Sequence, residues 1–518
     1  MLIVVSLLVG PALTGGALTG GAALAAQAVN RTDTPKQGAV RLRFDPRIMT
    51  WNAEFVNASL MPLGAPLTGD TVGAVGIPVI ARIQEDVRTA SGIPGFIASI
   101  GQGTFNATQD IRVMPFTAEF GLTDRFSIGV TVPVVRSAMR THFVLSDSGA
   151  SLGANPFARA AGADVQYDAF FNQFGSALTQ LGNNIAAGAY GCPSGPQCAG
   201  AQALLAQGTA VRDALQRTVY GVGATGSPFV PLAGSDAGIG IATTVQQMQN
   251  QLQTLYGVGG FTDQFLLSTD TLNTDEFASL LNDATYGFGY NQFRNTWRYG
   301  LGDVALQAKL RLGGNPYAVS LAGQVRLPTG ARDTILEVLD LPIAAHQTAY
   351  EVTLTQELTV ARHLWLNLAV RAGTAMGSTR ARRVASVDAF LVPFQATTVL
   401  NWDVGDYLAV DFAPLYRFTP TFAVGFTASY WTQRADLYTY QSVQDSLDLA
   451  GRLGGPTPAS VLYQGTDREA LRVGLAVTYA GPKVEGGFTV EKTLNGEGGP
   501  VAETTVFRIV MRVDWKMF

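Results

Sequence analysis

The residues that follow the tetrapeptide Gly121–Asp124 alternate between apolar side chains and polar or small ones. The apolar positions are Phe126, Ile128, Val130, Val132 and Val134, and the positions between them are Arg125, Ser127, Gly129 and Thr131. Successive side chains of a strand point to opposite faces, so this pattern predicts a strand between two different environments. The pattern recurs along the chain. Together with a secretory leader, it predicts a transmembrane β-barrel with lipid outside and water inside.

Composition agrees with a membrane barrel and excludes several other classes. Charged residues are 14% of the 518 residues, well below the quarter that is typical of soluble domains. No internal apolar run reaches the ~20 residues that a membrane helix needs. The net charge of −4 is too small to indicate a nucleic-acid partner or an acidic substrate.

The first 28 residues contain no charged side chain and begin with an apolar core over Leu2–Val9. Small residues at alternate positions in Ala23–Ala25 and Ala26–Ala28 are candidate cleavage sites. We therefore predict a signal peptide over residues 1–28, although the usual positive start is missing, which is compatible with a start further upstream. The alternative is a retained membrane helix, for which the glycines of this segment are unfavourable.

The chain has two cysteines, Cys192 and Cys198, in a Pro- and Gly-rich stretch. A single close pair in an exported chain predicts a disulfide bond. A metal site would need further ligands, and neither a histidine nor another cysteine lies nearby in the sequence.

The alternation predicts twelve strands, an even number as in bacterial single-chain barrels. They are Val40–Phe44, Ala107–Phe120, Arg125–His142, Leu301–Leu312, Tyr317–Leu327, Thr348–Leu358, Leu364–Ala375, Asp406–Phe418, Phe422–Trp431, Asp467–Tyr479, Val484–Thr493 and Glu503–Phe518. Five short connections alternate without exception with longer ones. This order predicts short periplasmic turns, long extracellular loops and both termini in the periplasm.

The stretch 143–300 is too long for a structureless loop. Helical spacing is found at Asp164–Ile185, Gly200–Thr218, Ser235–Tyr256 and Thr274–Thr285, with a further helix at Val72–Arg88. We therefore predict four parts: the leader, barrel strands 1–3 within 40–142, a helical extracellular insertion over 143–300, and barrel strands 4–12 within 301–518. The insertion either caps the outer mouth or plugs it; a separate soluble domain is the alternative.

The same alternation places most charged strand residues in the lumen, because a charge that faces lipid at mid-depth costs about 2–4 kcal/mol. The candidate lumen-lining residues are Lys309, Arg311, Arg326, Arg371, Asp411, Arg417, Arg472, Glu491, Arg508 and Arg512. The full inward-facing set also includes Glu351, Glu357, Glu485 and Asp514. Its eight basic and six acidic residues are nearly balanced, so no ring that selects one ion is evident. These charges either satisfy one another, or Arg311, Arg326, Arg371 and Arg417 line a path for a substrate with a carboxylate or phenolate. Aromatic residues near strand ends are predicted to form the girdles at the membrane surfaces: Tyr407, Tyr416, Tyr430, Trp431, Tyr479 and Trp515.

Enzymatic residues are scarce. His142 and His346 are predicted near the outer rim and His363 in a periplasmic turn. A rim hydrolase would need one of the first two beside a serine and an acid, and no motif fixes such a group. The sequence contains neither a phosphate-binding loop nor a metal-ligand spacing, so it predicts no cofactor.

Three strand–turn segments carry a family resemblance. These segments are Phe120–Pro133, Gly302–Leu312 followed by Arg326–Gly330, and Tyr416–Pro420. They resemble outer-membrane proteins of the phenol-degradation meta-pathway type, a group placed near the fatty-acid and aromatic-hydrocarbon transporters. The resemblance implies a barrel that passes small hydrophobic or aromatic molecules passively, with no catalytic residues. A terminal aromatic, Phe518, is present as the assembly machinery requires of this class. However, it lies on the face opposite to the apolar residues of the last strand, so either a bulge shifts the register or the signal is tolerant.

The sequence thus predicts an outer-membrane channel or transporter whose partners are membrane lipid, the barrel assembly machinery and a small-molecule substrate. Two alternatives remain open at this stage. One is a structural barrel with a plugged lumen that serves surface interactions, and the other is the rim hydrolase. The substrate and the oligomeric state are left open.

Overall fold

A computed structural model describes residues 31–314, 316–332, 334–419, 421–481 and 484–516. The predicted leader and Phe518 lie outside these ranges. Twelve strands form the barrel wall, and two of them are interrupted. They are β1 (Ala39–Phe44 and Arg47–Trp51), β2 (Gln102–Thr123), β3 (Phe126–Ser146), β4 (Thr296–Leu301 and Ala305–Gly314), β5 (Tyr317–Arg326), β6 (Ala349–Ala361), β7 (Leu364–Ala375), β8 (Tyr407–Arg417), β9 (Phe422–Gln433), β10 (Arg468–Ala480), β11 (Val484–Gly498) and β12 (Thr505–Lys516).

Each strand pairs antiparallel with the next, and β1 pairs with β12, so the barrel is closed. The predicted fold class, an all-β closed barrel of twelve antiparallel strands with a helical insertion, is confirmed. The interruption of β1 falls at Asp45 and Pro46. A proline has no N–H to donate to a neighbouring strand, which accounts for a break at this position.

The predicted sorting of connections by length is confirmed. The turns after β2, β4, β6, β8 and β10 are short, and the intervening connections are longer. Consecutive antiparallel strands place all the short turns at one end of the barrel, which we name the short-turn end. The opposite end is the long-loop end.

Strands β2 and β3 form a hairpin that is much longer than a membrane requires. They have 22 and 21 residues and pair from Gln102↔Ser146 to Thr123↔Phe126. At about 3.3 Å per residue the hairpin is about 70 Å long, whereas a tilted spanning strand needs about 9–11 residues. Its half at the long-loop end therefore extends beyond the barrel wall proper.

The described α-helices are α1 (Pro78–Ser91), α2 (Pro156–Arg159), α3 (Ala163–Ala186), α4 (Pro196–Tyr220), α5 (Asp236–Tyr256), α6 (Thr274–Asn282) and α7 (Val443–Leu453). All of them except α7 pack in the apolar core beside this extended half of the hairpin. Buried side chains of α1 and α3–α6 form one apolar core with Phe105 of β2 and Phe143 of β3. Burying an apolar stripe in this way is what stabilises amphipathic helices. Among the described helices, none is both long enough and apolar enough to cross a bilayer.

The five predicted helices are present, with ends that differ from the prediction by a few residues. The predicted disulfide between Cys192 and Cys198 is also present, in the connection from α3 to α4. Helix α7 was not predicted, because its segment was interpreted as a loop. It packs with a small sheet at the long-loop end, made of Ser378–Arg383, Thr397–Asp403 and Leu437–Tyr440.

Two smaller sheets were not predicted either. One joins Ala53–Val56, Ser59–Pro62 and Val501–Ala502, and the other joins Leu152–Ala154 with Phe229–Pro231. The first of them extends the seam between β1 and β12 towards the long-loop end.

The outward face of the wall is apolar, as predicted. Leu306, Leu310 and Leu312 of β4 are 39–49% exposed, whereas Lys309 between them is directed into the barrel. Two of the predicted girdle aromatics are wrong. Tyr407 and Trp431 are buried at 8% and 9% exposure, because each shares the inward face of its strand. In β12, the apolar residues from Phe507 to Trp515 face outward, and the pairing shows no bulge over its described residues.

Candidate functional site

The barrel encloses a cavity of about 300 Å³. Its walls come from the N-terminal segment before β1, from β1–β7 and β12, and from the connection between β5 and β6. Within the described part of the chain, no residue of α1–α7 lines it. The helical insertion therefore lies beyond the cavity and does not fill it.

One side of the cavity is apolar. Ile111, Val113 and Pro115 of β2 and Pro133 and Val135 of β3 contribute to this side. The tertiary amides of Pro115 and Pro133 stand opposite each other in the pairing of the two strands. These side chains offer no hydrogen bond, so an apolar ligand can lie against them without leaving a buried polar group unpaired.

The other side carries charge, and its positive groups outnumber its negative ones. Of the described residues that line the cavity, nine are basic and four are acidic. The basic residues are Arg31, Arg41, Arg43, Arg47, Lys309, Arg326, Arg371, Arg508 and Arg512, and the acidic ones are Asp33, Glu119, Asp303 and Glu351. The near-balance expected from the sequence does not hold at the cavity surface, because four of these arginines precede or lie on β1, which the sequence pattern defined poorly.

The break in β1 gathers three of the arginines on one carboxylate. Asp45 is fully buried, and its oxygens lie 2.6 Å from Arg508 Nε, 2.9 Å from Arg43 Nη2 and 3.3 Å from Arg47 Nη2. One negative charge is thus shared among three positive ones. The four residues together carry two net positive charges at the edge of the cavity.

A second ionic cluster lies inside the barrel, beside the cavity. Arg371 of β7 is 2.9 Å from Asp411 of β8, which also accepts a hydrogen bond of 2.5 Å from Ser429. Arg472 of β10 and Glu491 of β11 are buried beside this cluster. Buried charges are tolerated when they pair and form hydrogen bonds in this way.

The connection between β5 and β6 folds into the barrel from the long-loop end, and Pro342–Ala345 line the cavity. Asp303, in the break of β4, holds this connection at two points. Its carboxylate accepts N–H bonds of 2.9 Å from Gly330 and from His346. Further along the loop, Gln109 Nε2 donates to the carbonyl of Asp340 over 2.7 Å. The loop is therefore fixed to β2 and β4.

The N-terminal segment crosses the lumen at the short-turn end. Arg31 lies 2.7 Å from Glu485 of β11, and the Thr32 hydroxyl donates over 2.7 Å to Glu357 of β6. Lys309 of β4 donates over 2.6 Å to the carbonyl of Arg31 and over 2.9 Å to that of Asp33. Contacts with three separate strands hold the segment across the barrel.

Comparison with known proteins gives structural neighbours only. No protein-family model matches the chain, and no curated protein matches it. Among solved structures, the COG4313 outer membrane channel from Pseudomonas putida F1 is similar at 7% identity and a TM-score of 0.42, with 95% of this chain and all of that chain covered.

Two further neighbours are monoaromatic hydrocarbon channels or transporters. The CymD monoaromatic hydrocarbon channel matches at 10% identity and a TM-score of 0.26, covering 92% of this chain and 88% of that one. The P. putida toluene transporter TodX matches at 9% and 0.29, covering 92% and 89%. At these scores the matches carry no argument, and the barrel architecture is taken from the strand pairing of this chain.

The candidate lumen residues fall into three groups. Lys309, Arg326, Arg371, Arg508 and Arg512 line the cavity. Asp411, Arg472 and Glu491 are buried behind it. Arg311 and Arg417 lie nearer to the short-turn end, and the Arg417 guanidinium stacks on Trp365 with 3.6 Å between its carbon and the ring centroid. The structure therefore does not bring Arg417 to the cavity.

Sequence reasoning missed the residues that contribute most to the positive side, namely Arg43 and Arg47 with Asp45. The sequence did contain a signal for them in the segment Arg41–Arg47. There, three arginines and one aspartate occupy alternate positions around a proline. The segment was predicted as one short strand ending at Phe44, so Asp45 and Arg47 were left out of the barrel.

Two of the three histidines contact backbone carbonyl groups. His346 Nδ1 lies 2.7 Å from the carbonyl of Gly330, and His363 Nδ1 lies 3.1 Å from that of Arg417. Over the described ranges, no histidine side chain is hydrogen-bonded to a serine or a carboxylate, and no cluster of potential metal ligands is found.

Proposed function

We propose that this chain is an outer-membrane channel that passes small hydrophobic or aromatic molecules by passive diffusion. The observation that carries this proposal is a closed twelve-stranded barrel that encloses a cavity with an apolar side at mid-wall. A lumen that only held the barrel together could close by charge pairing alone and would need no apolar surface. The neighbouring hydrocarbon channels are consistent with this proposal and are not needed for it.

In the proposed orientation, the short turns and both termini are periplasmic, and the helical insertion is an extracellular cap. This follows from the rule that outer-membrane barrels have short periplasmic turns and longer outer loops. Membrane lipid and the barrel assembly machinery are then its partners. A rim hydrolase receives no support from the backbone contacts of His346, and we propose that the protein performs no catalytic step.

The test is entry of a radiolabelled aromatic alcohol, benzyl alcohol, into vesicles that carry lipopolysaccharide in the outer leaflet. We expect the purified protein to raise the initial rate above that of protein-free vesicles. Ala322→Trp places an indole in the cavity and should bring the rate close to that background. Ala308→Trp is the matched control, because Ala308 faces lipid on the neighbouring strand. Equal rates with and without the protein would refute the channel.

A second candidate function is a surface platform with a closed lumen. It is favoured by the N-terminal segment and the Pro342–Ala345 loop, which both occupy the barrel interior. This candidate predicts that Ala322→Trp leaves entry of benzyl alcohol unchanged at the protein-free rate, since no molecule passes in either form.

A further inference from the structure

The arginine cluster on Asp45 has more positive charge than its carboxylate can neutralise. Arg43, Arg47 and Arg508 each form an ion pair with Asp45. The side chains of Arg508 and Asp45 are 1% and 0% exposed, so this pair forms the base of the cluster. The side chains of Arg43 and Arg47 are 29% and 16% exposed and are open to the cavity.

Donors of the cluster remain unused. The Nε groups of Arg43 and Arg47 are buried and have no hydrogen-bond acceptor among the described residues. An unpaired buried donor costs about 1–3 kcal/mol, and more when it is charged. The unpaired donors show that Asp45 does not satisfy both guanidinium groups, and a ligand carboxylate at the exposed parts of Arg43 and Arg47 would neutralise part of the excess charge.

The positive cluster adjoins the apolar side of the cavity. Arg47 pairs across the sheet with Val113 of β2, whose side chain faces the same lumen. Ile111 and Pro115 flank Val113 on the same face of β2, and Val135 lies opposite it on β3. The charged and the apolar surfaces therefore meet at the boundary between β1 and β2.

We propose that Arg43 and Arg47, held in place by Asp45, bind the carboxylate of a small aromatic acid whose ring lies against Val113, Val135 and the loop residue Ile343. This inference rests on the proposed channel function and deepens it, because it names the substrate class as an amphipathic organic anion. Arginine is suited to this task, since its planar fork can make two parallel bonds to a carboxylate. A cavity of about 300 Å³ is at the small end of ligand pockets, as suits a single ring.

The test is equilibrium binding of three probes to the purified full-length protein in detergent. Benzoate has the charge and the ring, benzamide has the same shape without the charge, and acetate has the charge without the ring. We expect benzoate to bind at least about ten-fold more tightly than either of the others, because a hydrogen bond to a charged group contributes about 1.5–3 kcal/mol and 1.4 kcal/mol is ten-fold.

Arg47→Gln should weaken benzoate binding by about ten-fold or more and leave benzamide binding unchanged. Arg47→Lys keeps the charge but loses the planar guanidinium group, so its affinity for benzoate should lie between those of the unaltered protein and of Arg47→Gln. Arg112→Gln is the matched control, because Arg112 lies on β2 beside Val113 but on the opposite, exposed face. Heat-modifiable gel mobility checks that each variant is folded.

Each outcome decides the inference. Equal affinity for benzoate and benzamide in the unaltered protein would overturn it, as would unchanged benzoate binding in folded Arg47→Gln. Acetate binding as tight as benzoate binding would refute the part assigned to the apolar side. If benzyl alcohol enters vesicles but benzoate shows no preference, the inference fails while the channel function stands. If benzoate binds but nothing enters vesicles, the channel function fails.

Discussion

Asp45 is the position at which a single substitution should do most damage to the barrel wall. Its carboxylate is fully buried and contacts three guanidinium groups at 2.6–3.3 Å. Asp45→Ala would leave three positive charges close together and would remove the bidentate ion pair of the buried Arg508. At an effective dielectric constant of about 20, each charge pair at about 4 Å is worth about 4 kcal/mol.

Mutual repulsion among the three arginines cancels part of this attraction in the unaltered protein. Removing one partner from a buried ion pair costs about 3–5 kcal/mol, and we expect the free energy of unfolding to fall by this amount. The measurement is guanidinium unfolding in detergent micelles, followed by tryptophan fluorescence. Asp45→Ala combined with Arg508→Met removes the buried pair and should recover at least half of the loss.

The control is Asp110→Ala, since Asp110 forms an ion pair of 3.0 Å with the exposed Arg112. Exposed pairs are worth about 0–1 kcal/mol, so this variant should unfold close to the unaltered protein. An unchanged midpoint in Asp45→Ala, or equal losses in Asp45→Ala and Asp110→Ala, would refute the argument that Asp45 neutralises a buried cluster.

Two further predictions concern the long-loop end. Arg383 donates to the carbonyls of Val392, Gly289 and Ile335 at 2.6–3.1 Å and also to that of Phe288. Arg383→Lys should lower the free energy of unfolding by at least about 2 kcal/mol and expose the loops around these residues to limited proteolysis. Undiminished resistance to the protease would count against this role of Arg383. Burial raises the pKa of Asp86 in α1, although Arg217 of α4 donates to it at 2.6 Å and opposes the shift. A carboxyl whose pKa is raised on folding contributes stability when protonated, and this is lost as the pH rises from about 4 through the raised value. The protection factors of the α1 amides, which compare each exchange rate with its intrinsic rate at the same pH, should therefore fall over that window. Asp86→Asn should remove this pH dependence of the protection. The same pH dependence in both proteins would contradict the assignment.

The barrel was predictable from the sequence because its two faces meet different solvents. Alternation sorted Leu306 and Leu310 outward and Lys309 inward, and the observed strand ends mostly follow that pattern. The error at Tyr407 has the same origin, since Tyr407 and Asp411 are four residues apart and must share a face. The prediction for Tyr407 relied on its position near the end of the strand. The alternation of side chains along β8 decides which way Tyr407 points, and it points inward.

The composition of the cavity was not predictable in the same way. Three of the arginines at its positive side, Arg41, Arg43 and Arg47, come from β1, whose break at Asp45 and Pro46 hides the alternation. The loop that carries Ile343 has no periodic pattern at all, and its inward course depends on Asp303, a residue some forty positions earlier. Long-range contacts of this kind leave no trace in a local pattern, so the sequence placed individual charges in the lumen without showing which of them meet.

The apolar core of the helical insertion has a consequence for how the molecule is assembled. Met49 of β1 and Val506 of β12 belong to the same core as the buried residues of α1 and α3–α6. These two strands form the seam at which the barrel closes. The core is therefore complete only when the last strand has met the first, so closure of the seam and consolidation of the cap form one cooperative event. A chain stalled before closure would expose the apolar face of its helices as well as an open sheet edge.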